Sequence, residues 1–264
     1  MSAKDFLAGD YLSRADLVLV RGSSLFSRAI RFATRSPFSH TALVFVIPNR
    51  DLGFHRSFLI EAVPKGVRLS GLAELTKADA KGLFKADAVI LRLEQPWFTR
   101  DVQALVRGRM LDFIRSGYDW RTVLGIAMSV AKGAFGGRDT FARALTTSLR
   151  NAYHRRGLAP ANFICSGLVQ YGFLRAIHDH ATEPSSPVPP GAGALAVFNE
   201  RLAKLDPAAL LGGSPEARAA LLATTPEEIS RAPQLTWKYL MTKGRVHAVS
   251  SRDEAVALLG GSRG

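Results

Sequence analysis

The sequence predicts an α+β protein, an antiparallel sheet packed against the helices that follow it. Three observations carry this. Short β-branched runs bounded by Gly and Pro recur between residues 15 and 94. Past Pro96 the apolar spacing changes from alternation to steps of three and four. The only cysteine, Cys165, then stands at the start of a helical pattern within Ala161-Asn162-Phe163-Ile164-Cys165-Ser166-Gly167-Leu168-Val169-Gln170.

Residues 15–21 read as a strand stopped by Gly22, and residues 24–34 as a helix ended by Ser36-Pro37. In that helix Leu25, Ala29 and Phe32 or Ala33 are expected to face the core, with Arg28, Arg31 and Arg35 as a basic stripe on another side. Such a stripe is ordinarily a solvated face; its functional reading is contact with an anionic headgroup or substrate. Residues 39–47 form the next strand, with His40, Ala42, Val44 and Val46 on one face by the period of two. Residues 58–63 form another, with Glu61 in its middle beside Leu59 and Val63. A carboxylate among apolar neighbours needs a partner, and an imidazole on an adjacent antiparallel strand would supply one. An edge strand showing Glu61 to water is the alternative.

Residues 67–70 and 86–94 supply further strands, making the sheet a meander. Val102, Leu105, Val106, Met110 and Phe113 then mark a helix ending before Ser116-Gly117-Tyr118-Asp119-Trp120. Helices are also expected over 121–131, 140–153 and 163–177. Residues 183–191 read as a linker and 192–223 as weakly patterned helix. Thr225-Pro226-Glu227-Glu228 carries a helix start: threonine cap, proline at the first position, glutamate three residues after the cap.

With Asn162 as N-cap, Cys165 falls in the first helical turn. There the helix dipole and unpaired N–H groups favour a thiolate and can later hold an oxyanion. The ordinary reading of a lone cysteine is a small buried apolar side chain.

The chain has 264 residues, 47% of them hydrophobic, which is ample for a core. Thirty-five Lys and Arg against 22 Asp and Glu leave a net charge of +13, favouring association with anionic surfaces. One cysteine excludes an intramolecular disulfide. The opening Met-Ser-Ala-Lys-Asp-Phe-Leu lacks the basic and apolar regions of a signal peptide, so a cytoplasmic protein is expected. The longest apolar run, residues 122–135, is interrupted by Lys132 and falls short of the ~20 residues of a membrane span. His178 and His180 lack a third well-placed ligand, so no metal or other cofactor is expected.

The segments 15–40, Ile60-Glu61-Ala62, Tyr118-Asp119-Trp120, Ile164-Cys165-Ser166-Gly167-Leu168-Val169 and Thr225-Pro226-Glu227 together resemble the circularly permuted NlpC/P60 (papain-like) hydrolases of the YiiX type. The order of parts is the telling feature: the histidine strand precedes the cysteine helix, as in the related lecithin:retinol acyltransferase-like proteins. The resemblance, which covers about residues 15–169 with a trailing match near Thr225, implies a permuted papain-like fold with the nucleophile at a helix N-terminus, and a catalytic domain of residues 1–180 is expected. Residues 181–264 would be a C-terminal extension packed on the same domain. It further implies Cys165 as nucleophile, His40 as general base and later acid, and Glu61 as the residue orienting the imidazole, with Tyr118 lining the site or donating to the oxyanion. The chemistry requires these types, because an adjacent histidine activates a thiol and a carboxylate stabilises the resulting imidazolium. The expected activity is hydrolysis of an amide, of peptide or peptidoglycan type, through a thioester. The alternatives are a lipid-directed hydrolase or acyltransferase, and an inactive module binding membrane surface or nucleic acid. The expected partners are a small-molecule, peptide or lipid substrate and an anionic membrane touched peripherally, with no specific nucleic acid.

Overall fold

Continuous apolar runs such as Leu17-Val18-Leu19-Val20 build strands whose two faces are both apolar, so the sheet is covered on both sides. The computed structural model describes residues 1–48, 56–75, 77–78, 84–114, 117–118, 162–181, 186, 188, 198–199, 202 and 224–260. In chain order the elements are α1 (Ala3–Ala8), β1 (Leu17–Gly22), α2 (Leu25–Thr34), β2 (His40–Val46), β3 (Phe58–Val63), β4 (Gly66–Gly71), β5 (Ala86–Leu93) and α3 (Arg100–Leu111). There follow β6 (Gly117–Tyr118), β7 (Asn162–Phe163), α4 (Cys165–Ala181), α5 (Pro226–Ser230), β8 (Leu235–Thr242), β9 (Arg245–Ala248) and α6 (Arg252–Gly260).

Seven strands form one sheet in the order β4-β3-β2-β1-β5-β8-β9, every neighbouring pair antiparallel. The fold is therefore α+β with an antiparallel sheet. One face carries Leu17, Leu19, Leu43, Ile60, Val89 and Leu91, packed with Val102 and Val106 of α3 and Leu168 and Phe173 of α4. The other carries Val18, Val20, Ala42, Val44, Leu59 and Ile90, packed with Phe6 of α1. Both α1 and the β8–β9 hairpin went unassigned from sequence. The hairpin nevertheless has a plain signature, an alternating Leu-Thr-Trp-Lys-Tyr-Leu run and then Lys243-Gly244, whose φ values of 48° and 72° make the mirror-image turn that matches strand twist. Residues 235–248 thus complete the sheet begun by residues 17–22, β8 pairing directly with β5.

Helix α4 is buried on nearly every side. It sits close against α3 because Gly172 has no side chain: a Cβ there would lie 2.5 Å from Met110 Cγ. Phe173 stacks on Phe98 at 5.6 Å and meets Phe198 edge-on at 5.0 Å. Two buried polar side chains fasten the helix to later parts of the chain. The Ser166 hydroxyl donates to the Thr224 carbonyl, and Gln170 Oε1 accepts from the Phe198 N–H at 2.7 Å. Next to this, Thr225 and Glu228 form the reciprocal cap expected from sequence. Glu227, buried, is held by Arg231 at 2.6 Å and Arg252 at 2.8 Å.

Two expectations are corrected. Helix α2 does not turn Leu25, Ala29 and Phe32 to the core; all three are exposed, and Arg31 of the supposed stripe is half-buried instead. Ser27 packs so tightly on Gly22 of β1 that a Cβ on the glycine would lie 2.4 Å from Ser27 Oγ, and the helix docks through the side that carries Ser27, Ile30, Arg31 and Thr34. Asn162 is not the cap of the cysteine helix, because its backbone pairs with Gly117 in the short parallel β6–β7 ladder. Ile164 occupies the cap position, its carbonyl accepting from Leu168 N–H at 3.0 Å. The helices expected over 121–131 and 140–153 lie outside the described residues, as do most of 183–223.

Candidate active site

His40 opens β2 and Glu61 lies in β3. The β2–β3 register pairs Leu43 with Ile60 and Val44 with Leu59. Carried toward the start of β2, it sets Glu61 across from Ala42, one pleat along from His40 on the same face. Their side chains meet: His40 Nε2 and Glu61 Oε2 are 2.8 Å apart. The other carboxylate oxygen, Oε1, accepts from Arg68 Nε at 3.2 Å and Nη2 at 3.1 Å, Arg68 being the residue directly opposite on β4. The Glu61 side chain is 5% exposed, His40 20% and Arg68 51%, so the carboxylate is shielded while its two partners reach toward solvent.

Cys165 is the first residue of α4 and is buried. Its sulfur is hydrogen-bonded to the His40 ring and to the backbone N–H groups of Thr41 and Ser166. With Nε2 committed to Glu61, the nitrogen facing sulfur is Nδ1. The N–H groups at the start of α4 have no intrahelical acceptor, which leaves them free to bind negative charge.

The electrostatics follow. Burial opposes charge on His40, but the Cys165 sulfur and then the Glu61 carboxylate outweigh it and raise the imidazole to about 10. Burial likewise opposes charge on Glu61, and the His40 bond, Ser70 and Arg68 bring its carboxyl down to about 2. For Cys165, burial is overcome by His40 and the two N–H groups, drawing the thiol below its ordinary value. Glu61 being ionised, Nε2 must carry a proton and donate. Together these contacts favour thiolate and imidazolium over the neutral pair.

A scan of protein-family models finds no match to this chain, and a search of curated proteins finds none. The chain is similar to the solved structure of a protein described as metalloprotein yiiX from Escherichia coli O157:H7. The two are 18% identical, with 86% of this chain and 96% of that chain covered, at a TM-score of 0.46.

His40, Glu61 and Cys165, singled out from sequence, are brought together. Tyr118 has its backbone beside Phe163, two residues before Cys165; its side chain, expected to line the site, lies outside the described residues. Arg28 and Arg35 are exposed on and just after α2, and Arg31 is half-buried. Among the described residues no three His, Cys, Asp or Glu side chains gather to hold a metal, and no helix is long and apolar enough to cross a membrane. Arg68 was missed. The available signal was the alternation Val67-Arg68-Leu69-Ser70 opposite a strand holding an inward carboxylate, which asks for a cation at the facing position.

Proposed function

We propose that the protein is a thiol hydrolase of the circularly permuted papain-like type, which cleaves an amide of peptide or peptidoglycan kind through a Cys-His-Glu triad. The observation that carries this is the His40 ring, bonded on one side to a buried carboxylate and on the other to a sulfur at a helix N-terminus. The order His40, Glu61, Cys165 along the chain fits the permuted arrangement.

The chemistry runs as follows. The Cys165 thiolate attacks the carbonyl carbon, and the developing oxyanion is met by backbone N–H groups at the start of α4. The carbon–nitrogen bond breaks as Nδ1 of His40 gives its proton to the leaving amine, leaving an acyl thioester on Cys165. His40, now neutral, takes a proton from water, whose oxygen attacks the thioester. The carbon–sulfur bond breaks, the acid departs, and thiolate and imidazolium are restored. Glu61 stays ionised throughout and fixes the ring.

A second reading, acyl transfer or hydrolysis on a lipid, is favoured by the exposed Leu25 and Phe32 on the helix that leads into the His40 strand. Both readings share the acyl-Cys165 intermediate. Mass spectrometry of the protein after incubation with cell extract should therefore find an adduct on Cys165 whose mass names the acyl group. Cys165→Ser and His40→Ala should carry none while keeping the native circular dichroism spectrum. An iodoacetamide probe should label Cys165 at mildly acidic pH, where an ordinary thiol of pKa ~8.5 hardly reacts. A thiol silent there, with no adduct, would return the protein to the binding-module reading.

A further inference from the structure

Helix α2 is amphipathic and faces the wrong way for a core. Leu25 is 81% exposed and Phe32 72%, with exposed Ala29 between them on the same side. Its inward side is mostly polar: Ser27 packs on Gly22, and Ile30, Arg31 and Thr34 are half-buried beside it. Leaving two large apolar side chains in water across two helical turns is unfavourable for a monomer, and such patches mark interaction surfaces. Arg28, one turn from Leu25 and Phe32, is exposed, as is Arg35, which ends the helix in a left-handed conformation at φ 48°. The whole chain carries +13.

These features select one occupant. A second copy would bring the same Arg28 and Arg35 together across a two-fold axis, between bodies each of high positive charge. A nucleic acid backbone would use the arginines but has no place for Leu25 and Phe32. An anionic bilayer uses both, taking apolar side chains at the headgroup–acyl boundary and cations at the phosphates. We propose that α2 docks the protein on anionic membrane, with Leu25, Ala29 and Phe32 entering the interface and Arg28 and Arg35 on lipid phosphates. Only Pro37, Phe38 and the buried Ser36 and Ser39 separate Arg35 from His40, so docking would hold the start of β2 near the bilayer. The inference is independent of the chemistry assigned to Cys165, and the Cys165→Ser protein should bind like wild type.

The test is co-sedimentation of the full chain with vesicles of phosphatidylglycerol and phosphatidylcholine in equal parts, and of phosphatidylcholine alone, at low and physiological salt. Wild type should partition onto the anionic vesicles and much less onto the zwitterionic ones. Leu25→Ser/Phe32→Ser changes only exposed side chains, and should lower partitioning at physiological salt by at least about tenfold with an unchanged melting temperature. Arg28→Gln/Arg35→Gln should lose mainly the salt-sensitive part. Wild-type binding by the double serine variant would overturn the proposal, as would failure of wild type to bind anionic vesicles. So would a wild-type dimer that the serine substitutions convert to monomer, since the face would then cover itself.

Discussion

Replacing Glu61 by Gln tests how the charge beneath His40 sets the reactivity of Cys165. The wild-type carboxylate accepts on both oxygens, from His40 Nε2 at 2.8 Å and from Arg68 at 3.1 and 3.2 Å. A glutamine has one acceptor. Since Arg68 is 51% exposed and can turn to water, the amide oxygen should stay on His40 and the amino group should face the vacated side. The ring keeps its orientation and its tautomer; what goes is the negative charge. A charge-assisted bond in a shielded place exchanged for a neutral one costs roughly 1–2 kcal/mol, which is about one pKa unit and about tenfold in thiolate at a fixed pH on the acid limb. The sign is set by the raised imidazole: without the carboxylate, His40 falls from about 10 toward its ordinary value, and Cys165 rises. Iodoacetamide alkylation followed as a function of pH should show the acid limb of the Glu61→Gln protein displaced upward by about one unit, with the alkaline plateau unchanged. Superimposable limbs for the two proteins would refute the assignment of Glu61 as the group that holds the imidazolium.

Stability should depend on pH through the same residues. Glu61, lowered from 4.5 to about 2, contributes stability that is complete above pH 4.5 and is lost as pH falls through 2, worth up to about 3 kcal/mol. His40, raised from 6.5 to about 10, contributes in the opposite direction, fully below pH 6.5 and less as pH rises through 10. Urea midpoints should therefore fall at both ends, and Glu61→Gln should flatten the acid side. Gly172→Ala sets a Cβ 2.5 Å from Met110 Cγ between two packed helices. It should lower the unfolding free energy by about 1–3 kcal/mol despite alanine's better helix propensity, read as a drop in melting temperature. Thr41 Oγ1 is buried with no hydrogen-bond partner among the described residues. Thr41→Val should raise stability by about 1 kcal/mol while the backbone N–H continues to serve the sulfur, leaving the alkylation rate of Cys165 as in wild type.

The sequence by itself determined the local order of this protein. Short apolar, β-branched runs locate β1 to β5 to within a residue or two of their observed bounds, because a strand lying between two apolar layers buries both of its faces. Thr225-Pro226-Glu227-Glu228 specifies its own helix start, since a capping box is made within four residues. The grouping of Cys165, His40 and Glu61 was legible as residue types in odd places: a lone thiol at a helix start, and a carboxylate inside an apolar strand that could not remain ionised without a partner. The tertiary structure alone decided where those parts go. The β8–β9 hairpin completes the sheet beside β5, a pairing across well over a hundred residues of chain that no local pattern encodes. Ile164 replaced Asn162 as the cap because a strand pairing with Gly117 claimed the asparagine backbone first. Most of all, α2 has a hydrophobic stripe that reads as core from sequence, yet the stripe points outward. Periodicity reports that a helix has an apolar side but not which side docks, and here Gly22 against Ser27 makes the side of Ser27, Ile30 and Thr34 the closer fit.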